Sequence, residues 1–278
     1  MPTAMTGLVV LLGHPVGHSL SPALHNAAFA HDALDLVYLA CDVEDGRLEE
    51  AMSGLWALGG RGANVTIPHK RAALALASQA TPTARALGAA NTLVRTDVGW
   101  RADNTDVAGF LAPLADVSLT GESAVVFGAG GAARAVVHAV LTKTRATRVT
   151  VVARRPAQAE ELADDLGTGP VEIRVEAPAT AGASVRDAAL VVNATPLGMG
   201  DGRTPWPDDG DFRPGQVVYD VVYRPARTPL LEAAAARGAT TVGGLPMLLG
   251  QAGESYRQWT GRPFPLDVAR RVALRALA

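Results

Sequence analysis

Lys70 and Asp106 are the residues of this chain whose surroundings most suggest chemistry. Lys70 closes the run Asn64-Val65-Thr66-Ile67-Pro68-His69-Lys70, and Asp106 closes Asp103-Asn104-Thr105-Asp106. Asn91 lies between them in Gly88-Ala89-Ala90-Asn91-Thr92. An amine, a carboxylate and amides are the groups that hold a carbonyl oxygen and move a proton to or from it. Each has a plain reading beside this one. Lys70 falls in the first turn of a helix opened by Pro68, where a lysine can simply be solvated. Asp106 fits the N-cap of a helix over residues 107–114. Ser19 and Ser21 flank another helix start, where backbone N–H groups and the helix dipole favour an anion such as a carboxylate. Alternatively Ser21 only caps that helix, with Pro22 in its first position, and Ser19 only turns the chain. His14, His18, His25 and His69 form no metal-ligand spacing, and no metal site is expected.

These residues need elements to hold them. Gly7 to Gly13 reads as a buried strand, followed by a helix from Ser21 to about Ala30. Leu34 to Asp42 reads as a strand, Leu48 to Leu58 as a helix, Gly62 to Thr66 as a strand, and Pro68 to about Ser78 as a helix. Asn91 to Arg95 and Trp100 to Asp103 form a hairpin around Asp97-Val98-Gly99. From Gly121 onward strands alternate with helices: strands at Ala124–Phe127, Arg148–Ala153, Val171–Val175, Leu190–Asn193, Val217–Val222 and Thr240–Val242. Such alternation predicts a parallel α/β sheet. Met247 to Trp259 and Leu266 to Leu277 read as two closing helices. Asp201 to Pro214, rich in proline and acids, reads as an exposed loop.

The first strand of the second half runs into Gly128-Ala129-Gly130-Gly131-Ala132-Ala133 and then a helix. Gly-x-Gly-x-x-Ala between a strand and a helix is the dinucleotide fingerprint. The first glycine makes the turn, the second admits pyrophosphate, and the third small residue lets helix pack on strand. An NAD site places an acid at the end of the next strand, about 20 residues on. Here that strand ends Val151-Val152-Ala153-Arg154-Arg155. Two guanidiniums suit a 2′-phosphate, so NADP is the expected cofactor.

Composition bounds the rest. A chain of 278 residues, 48% hydrophobic and 19% charged, can bury a sizeable core in one large or two ordinary domains. A net charge of −2 and 5% aromatic residues give no general attraction to nucleic acid or to an anionic membrane. The single cysteine, Cys41, rules out an intrachain disulfide and reads as a packing residue. The first residues carry no basic region leading into a long apolar core, and the expected compartment is the cytoplasm.

Taken together, these runs resemble the shikimate dehydrogenase family. The matching pieces are His18-Ser19-Leu20-Ser21-Pro22, Asn64 to Lys70, Asn91-Thr92, Asp103 to Asp106, Gly128 to Ala132, Asn193-Ala194-Thr195-Pro196, Tyr219-Asp220-Val221-Val222-Tyr223 and Gly244 to Gln251. They stand in family order over nearly the whole chain. The resemblance implies a two-domain α/β protein. Residues 1–106, completed by 244–278, would form a substrate domain. Residues 107–243 would form a Rossmann-like, doubly wound NADP domain, with the active site in the cleft between them. It also implies an oxidoreductase that reversibly reduces 3-dehydroshikimate to shikimate with NADPH, in chorismate and aromatic amino-acid synthesis.

Carried over motif by motif, Ser19 and Ser21 would bind the substrate carboxylate. Thr66, Asn91, Tyr223 and Gln251 would bind its carboxylate or ring hydroxyls. Lys70 and Asp106 would hold the reacting oxygen and handle its proton. The cofactor residues would be Gly128, Ala129, Gly130, Gly131, Ala132, Arg154, Arg155 and Thr195, with Val221 and Gly244 near the nicotinamide. The family's common Asn-Arg-Thr after the second cofactor strand reads Ala153-Arg154-Arg155 here, and His69 replaces a frequent aromatic residue. The rivals are a quinate/shikimate or aminoshikimate dehydrogenase, and a non-catalytic NADPH-binding regulator. Small molecules are the expected partners, and a monomer or homodimer the expected assembly.

Overall fold

A computed structural model describes residues 2–167, 169–200, 202–208 and 211–277. In chain order the elements are β1 (Gly7–Gly13), α1 (Ser21–His31), β2 (Leu36–Asp42), α2 (Leu48–Ala57), β3 (Gly62–Val65), α3 (Lys70–Leu76), β4 (Gln79–Ala80), α4 (Pro82–Leu87), β5 (Thr92–Thr96) and β6 (Gly99–Asp103). Then follow α5 (Asp106–Leu111), β7 (Ser123–Phe127), α6 (Gly131–Lys143), β8 (Arg148–Val152), α7 (Pro156–Leu166), β9 (Glu172–Glu176) and α8 (Gly182–Asp187). The chain closes with β10 (Leu190–Asn193), β11 (Val217–Asp220), α9 (Pro229–Ala236), β12 (Thr240–Val242), α10 (Leu245–Thr260) and α11 (Leu266–Leu277). These elements sort into two compact units, one of residues 1–105 with 249–278, the other of residues 106–248.

The first unit holds a six-stranded sheet in the order β2-β1-β3-β5-β6-β4. β1 pairs in parallel with β2 and β3, while β5 runs antiparallel to both β3 and β6. The apolar run of β1 is explained by burial on both faces. Val10 and Leu12 face a core shared with Leu48, Met52 and Leu55 of α2. Val9 and Leu11 face Phe29, Tyr38 and Tyr256. Cys41 packs, half-buried, against the first of these cores, and burial raises its thiol pKa.

The second unit holds a six-stranded, all-parallel sheet in the order β12-β11-β10-β7-β8-β9. The order reverses between β7 and β10, as in doubly wound nucleotide-binding sheets. Val125, Phe127, Val152, Val191 and Val218 pack with Leu230 and Leu231 of α9.

Four local expectations change. The cap of α1 is Leu20, and Ser21 is the first helical residue; its backbone N–H donates to Ser19 Oγ at 3.2 Å, so Ser19 does the turning. α3 starts at Lys70, because residues 67–69 form a turn closed by His69 N donating to Thr66 O and pinned by His69 Nε2 on Val43 O. The helix after Asp106 includes Asp106 itself and tightens into a 3-10 turn at Ala112–Leu114. The stretch 201–214 is not simply exposed: Trp206, Asp211 and Phe212 are buried, Trp206 stacking on Phe127 and donating to Asp211 Oδ2 at 3.2 Å. Residues 201, 209 and 210 of that stretch lie outside the described residues. β4, α4 and α8 are elements the residue pattern did not announce.

Candidate active site

In the first unit, one edge of the sheet collects most of the residues singled out in the sequence. β1 and β3 end there, and the antiparallel register Asn64↔Thr92 and Thr92↔Asp103 brings the start of β5 and the end of β6 to the same edge. Ser19 and Ser21 follow β1, Thr66 to Lys70 follow β3, Asn91 precedes β5, and Asp103 to Thr105 leave β6. Short backbone links lock these segments together. Thr66 N donates to Leu12 O at 2.9 Å, Val65 N to Asn91 O at 2.8 Å, Ala90 N to Lys70 O at 2.8 Å, and Asn91 N to Asp103 O at 3.0 Å. Gly13 sits so close to the Thr66 methyl that a Cβ there would overlap it, which explains the glycine that ends β1.

A buried polar network stands behind this edge. Tyr38 Oη donates to Asn64 Oδ1 at 2.8 Å, and Asn64 Nδ2 reaches Ser255 Oγ at 3.0 Å. Ser255 hydrogen-bonds Thr92 and Thr105, and donates to the Gln251 carbonyl at 3.0 Å, which ties the α10 turn carrying Gln251 to the strand ends. Burial raises the Tyr38 phenol pKa, opposed by a hydrogen bond from Ser21. Thus Ser21, Thr66, Lys70, Asn91 and Gln251 are linked through a handful of side chains within this unit. The polar run 103–105 is spent inward: Asp103 accepts from Thr81, Asn104 N and Gln258, Asn104 donates to Ala89 O, and Thr105 donates to Asn91.

In the second unit, Asp106 opens α5, and the other residues of interest follow strand ends at one edge of the parallel sheet. Gly128 follows β7 with φ +107, a left-handed conformation that suits glycine, and a Cβ there would sit 3.1 Å from Ala194 O and Thr195 Cγ2. Gly130 caps α6 without a side-chain hydrogen bond, and a Cβ on Gly130 or Gly131 would meet nothing within 4 Å. The fold therefore does not need these two glycines. The open space at a helix start, with backbone N–H groups facing it, fits a pyrophosphate. Arg154 and Arg155 are exposed beyond β8, whose Val152 O accepts from Gly128 N at 2.9 Å. Thr195 follows β10, Val221 and Tyr223 follow β11, and Gly244 follows β12. A Cβ on Gly244 would overlap the Val221 carbonyl, so that glycine is demanded by backbone packing. Burial raises the Tyr223 phenol pKa, partly offset by Arg224.

Two residues to which the motifs assign no role organise these loops. Asn193 Oδ1 accepts from Thr195 N at 2.9 Å and Thr195 Oγ1 at 2.7 Å, and its Nδ2 donates to Asp220 Oδ1 at 2.9 Å. Asp220, fully buried, also accepts from Val222 N at 3.0 Å and Thr228 Oγ1 at 2.7 Å. Burial raises its pKa above 3.8, while these hydrogen bonds oppose the rise. Among the described residues no cluster of His, Cys, Asp or Glu could hold a metal ion, and no helix is long and apolar enough to cross a membrane.

Comparison with known proteins agrees with this architecture. Residues 11–93 match the family described as the shikimate dehydrogenase substrate binding domain, and residues 244–274 match the shikimate 5′-dehydrogenase C-terminal domain. A shikimate dehydrogenase (NADP(+)) of Salinibacter ruber is 52% identical over 270 residues, 94% of this chain and 95% of that one. Shikimate 5-dehydrogenase of Listeria monocytogenes, solved in complex with shikimate and NAD, superposes with a TM-score of 0.92 at 31% identity, over 98% of this chain and 97% of that one. The Thermus thermophilus enzyme, solved with NADP(H) and shikimate, gives a TM-score of 0.87 at 36% identity, over 98% of this chain and 100% of that one. With identity this high across nearly the full length of both chains, this chain belongs to the shikimate dehydrogenase family.

Proposed function

We propose that this protein is an NADP-dependent shikimate dehydrogenase, reversibly reducing 3-dehydroshikimate to shikimate in chorismate and aromatic amino-acid biosynthesis. The observation that carries the reading is the single sheet edge that gathers the segments of Ser19, Ser21, Thr66, Lys70 and Asn91, tied to the Gln251 turn by Ser255. The relatives' names support the same activity and do not favour the quinate or regulator alternatives.

NADP fits the second unit at the open glycine turn before α6 and the two exposed arginines after β8. Gly128 to Ala132 would hold the pyrophosphate and Arg154 with Arg155 the 2′-phosphate; Thr195 would also contact the cofactor, and Val221 and Gly244 would border the nicotinamide. When bound, the nicotinamide supplies the hydride chemistry. This chain's own part is to bind, orient and move a proton. Ser19 and Ser21 hold the substrate carboxylate. Thr66, Asn91, Tyr223 and Gln251 hold carboxylate or ring oxygens. Reduction turns a carbonyl oxygen into a developing alkoxide; the Lys70 ammonium stabilises that charge and can supply its proton. Asp106 accepts from a substrate hydroxyl. The assembly is a monomer or homodimer in the cytoplasm. Purified protein assayed with shikimate should reduce NADP much faster than NAD, and quinate should be a poor substrate. Strong turnover with quinate or NAD would contradict the assignment.

A further inference from the structure

We propose that Asn193 and Asp220 are positioning residues for hydride transfer: side by side at the ends of β10 and β11, they hold the loops that carry Thr195, Val221 and Tyr223 as one piece. The inference rests on the reading above, in which those loops meet the cofactor and the substrate.

Where a strand ends, the backbone N–H groups that follow it need new partners. Here the last side chain of each strand folds over to take one. Asn193 Oδ1 accepts from Thr195 N at 2.9 Å, and Asp220 Oδ1 accepts from Val222 N at 3.0 Å. In both turns an Asn or Asp side chain takes the N–H two residues on. Asn193 and Asp220 are opposite one another in the parallel register, so the two turns lie side by side. Asn193 Nδ2 joins them by donating to Asp220 Oδ1 at 2.9 Å.

Each of the two side chains fixes more than its own turn. A backbone N–H can only donate, so the Asn193 atom that faces Thr195 N is its oxygen. That oxygen also accepts from Thr195 Oγ1 at 2.7 Å, and Asn193 Nδ2 donates to Leu197 O at 3.0 Å. One amide thereby sets residues 195–197. Asp220 Oδ2 accepts from Thr228 Oγ1 at 2.7 Å, and Thr228 caps α9 by accepting from Leu231 N at 3.4 Å. Segment 221–228, with Val221 and Tyr223 in it, therefore begins and ends on one carboxylate. Asn193, Asp220 and Thr228 are fully buried, so water does not take the place of a lost partner. Asp220 faces three donors: Asn193 Nδ2, Val222 N and the Thr228 hydroxyl. Two carboxylate oxygens match them, whereas an amide would turn an N–H toward Thr228 and end the donation from its hydroxyl. This explains a carboxylate at a place where burial alone disfavours one. The bonds join β10, β11 and α9, while the glycine turn follows β7 and Arg154 with Arg155 follow β8. Damage to the network should therefore misplace the nicotinamide end of NADP and spare its adenosine end.

Adenosine 2′,5′-bisphosphate, which has the adenosine end without the nicotinamide, separates positioning from general damage. In Asp220→Asn and in Asn193→Ala, the single-turnover rate of NADP reduction at saturating shikimate should fall about tenfold or more. The Kd for adenosine 2′,5′-bisphosphate should stay within about twofold of wild type in both. The double variant should lose little more than the worse single variant, because the two side chains act as one unit. Losses that multiply overturn the pairing. Wild-type protein that oxidises shikimate while both single variants match its rate, or while bisphosphate affinity falls in step with the rate, overturns this inference alone. Wild-type protein without shikimate turnover overturns the functional reading and this inference with it.

Discussion

His25 is a fully buried imidazole, stacked on Tyr38 with ring centroids 4.6 Å apart and with neither nitrogen hydrogen-bonded. Burial pulls its pKa from 6.5 down to about 3. The unfolded chain therefore takes up a proton over a range where the folded chain does not. The stability that neutral His25 permits is complete above pH 6.5 and is lost as pH falls from 6.5 to about 3. The loss is at most about 1.4 kcal/mol per pH unit over that range. His25→Phe keeps a ring and removes the titration, so its melting temperature should fall less steeply than wild type between pH 6.5 and about 4; parallel curves would contradict this. At Lys70, replacement by alanine should lower kcat by about 10²–10⁴-fold while leaving NADPH affinity within about twofold of wild type. Isothermal titration with NADPH beside the kinetic assay separates the two effects. Lys70 and Asn91 stand out in the sequence because their runs are polar where packing would select apolar residues. The buried polar network behind the sheet edge does not. Asn64 meets Ser255 across 191 residues of sequence, and no local pattern encodes that pairing.

Among the elements, the glycine turn before α6 separates fold from function. Gly130→Ala should leave the melting temperature nearly unchanged, because its φ is −82 and a Cβ there would meet no atom within 4 Å. The same change should weaken NADP binding about tenfold or more if pyrophosphate occupies that space. Gly128→Ala should lower both, since φ is +107 and Ala194 O lies 3.1 Å from the new Cβ. Fluorescence titration of bound NADPH with thermal melts distinguishes them; unchanged affinity in Gly130→Ala would contradict the cofactor assignment. The strands of the second unit were legible because continuous apolar runs between turn residues are what a two-sided parallel strand requires. α4 was missed although Thr81 caps it, Pro82 opens it and Gly88, with φ +63, closes it. Those signals are small beside the short apolar content of the helix itself. Trp206 and Phe212 were misjudged because proline and acids dominate their stretch, while the apolar core of the second unit draws those two rings inward.

For the whole molecule, the first unit is assembled from the two ends of the chain. Trp259 Nε1 donates to Leu93 O at 3.0 Å, and Tyr256 Oη donates to Asp32 Oδ2 at 2.5 Å. The Trp259 indole also fills the space beside Gly62, where no Cβ fits. A chain ending at Leu248 should therefore lose hydrogen-exchange protection in β1 and β3, and full protection there would contradict the assignment of residues 249–278 to that unit. The residue pattern alone marks α10 and α11 only as helices, and the family resemblance is what groups them with the start of the chain; contacts such as Trp259 Nε1 to Leu93 O show which strands they meet.

The most direct test of the account is initial-rate spectrophotometry on wild type and Lys70→Ala, with shikimate and NADP, repeated with NAD and with quinate. Wild type should reduce NADP fast with shikimate and do little with NAD or quinate, and Lys70→Ala should lose nearly all turnover. Wild-type protein that binds NADPH but leaves shikimate unoxidised, or a Lys70→Ala variant with undiminished turnover, would contradict it.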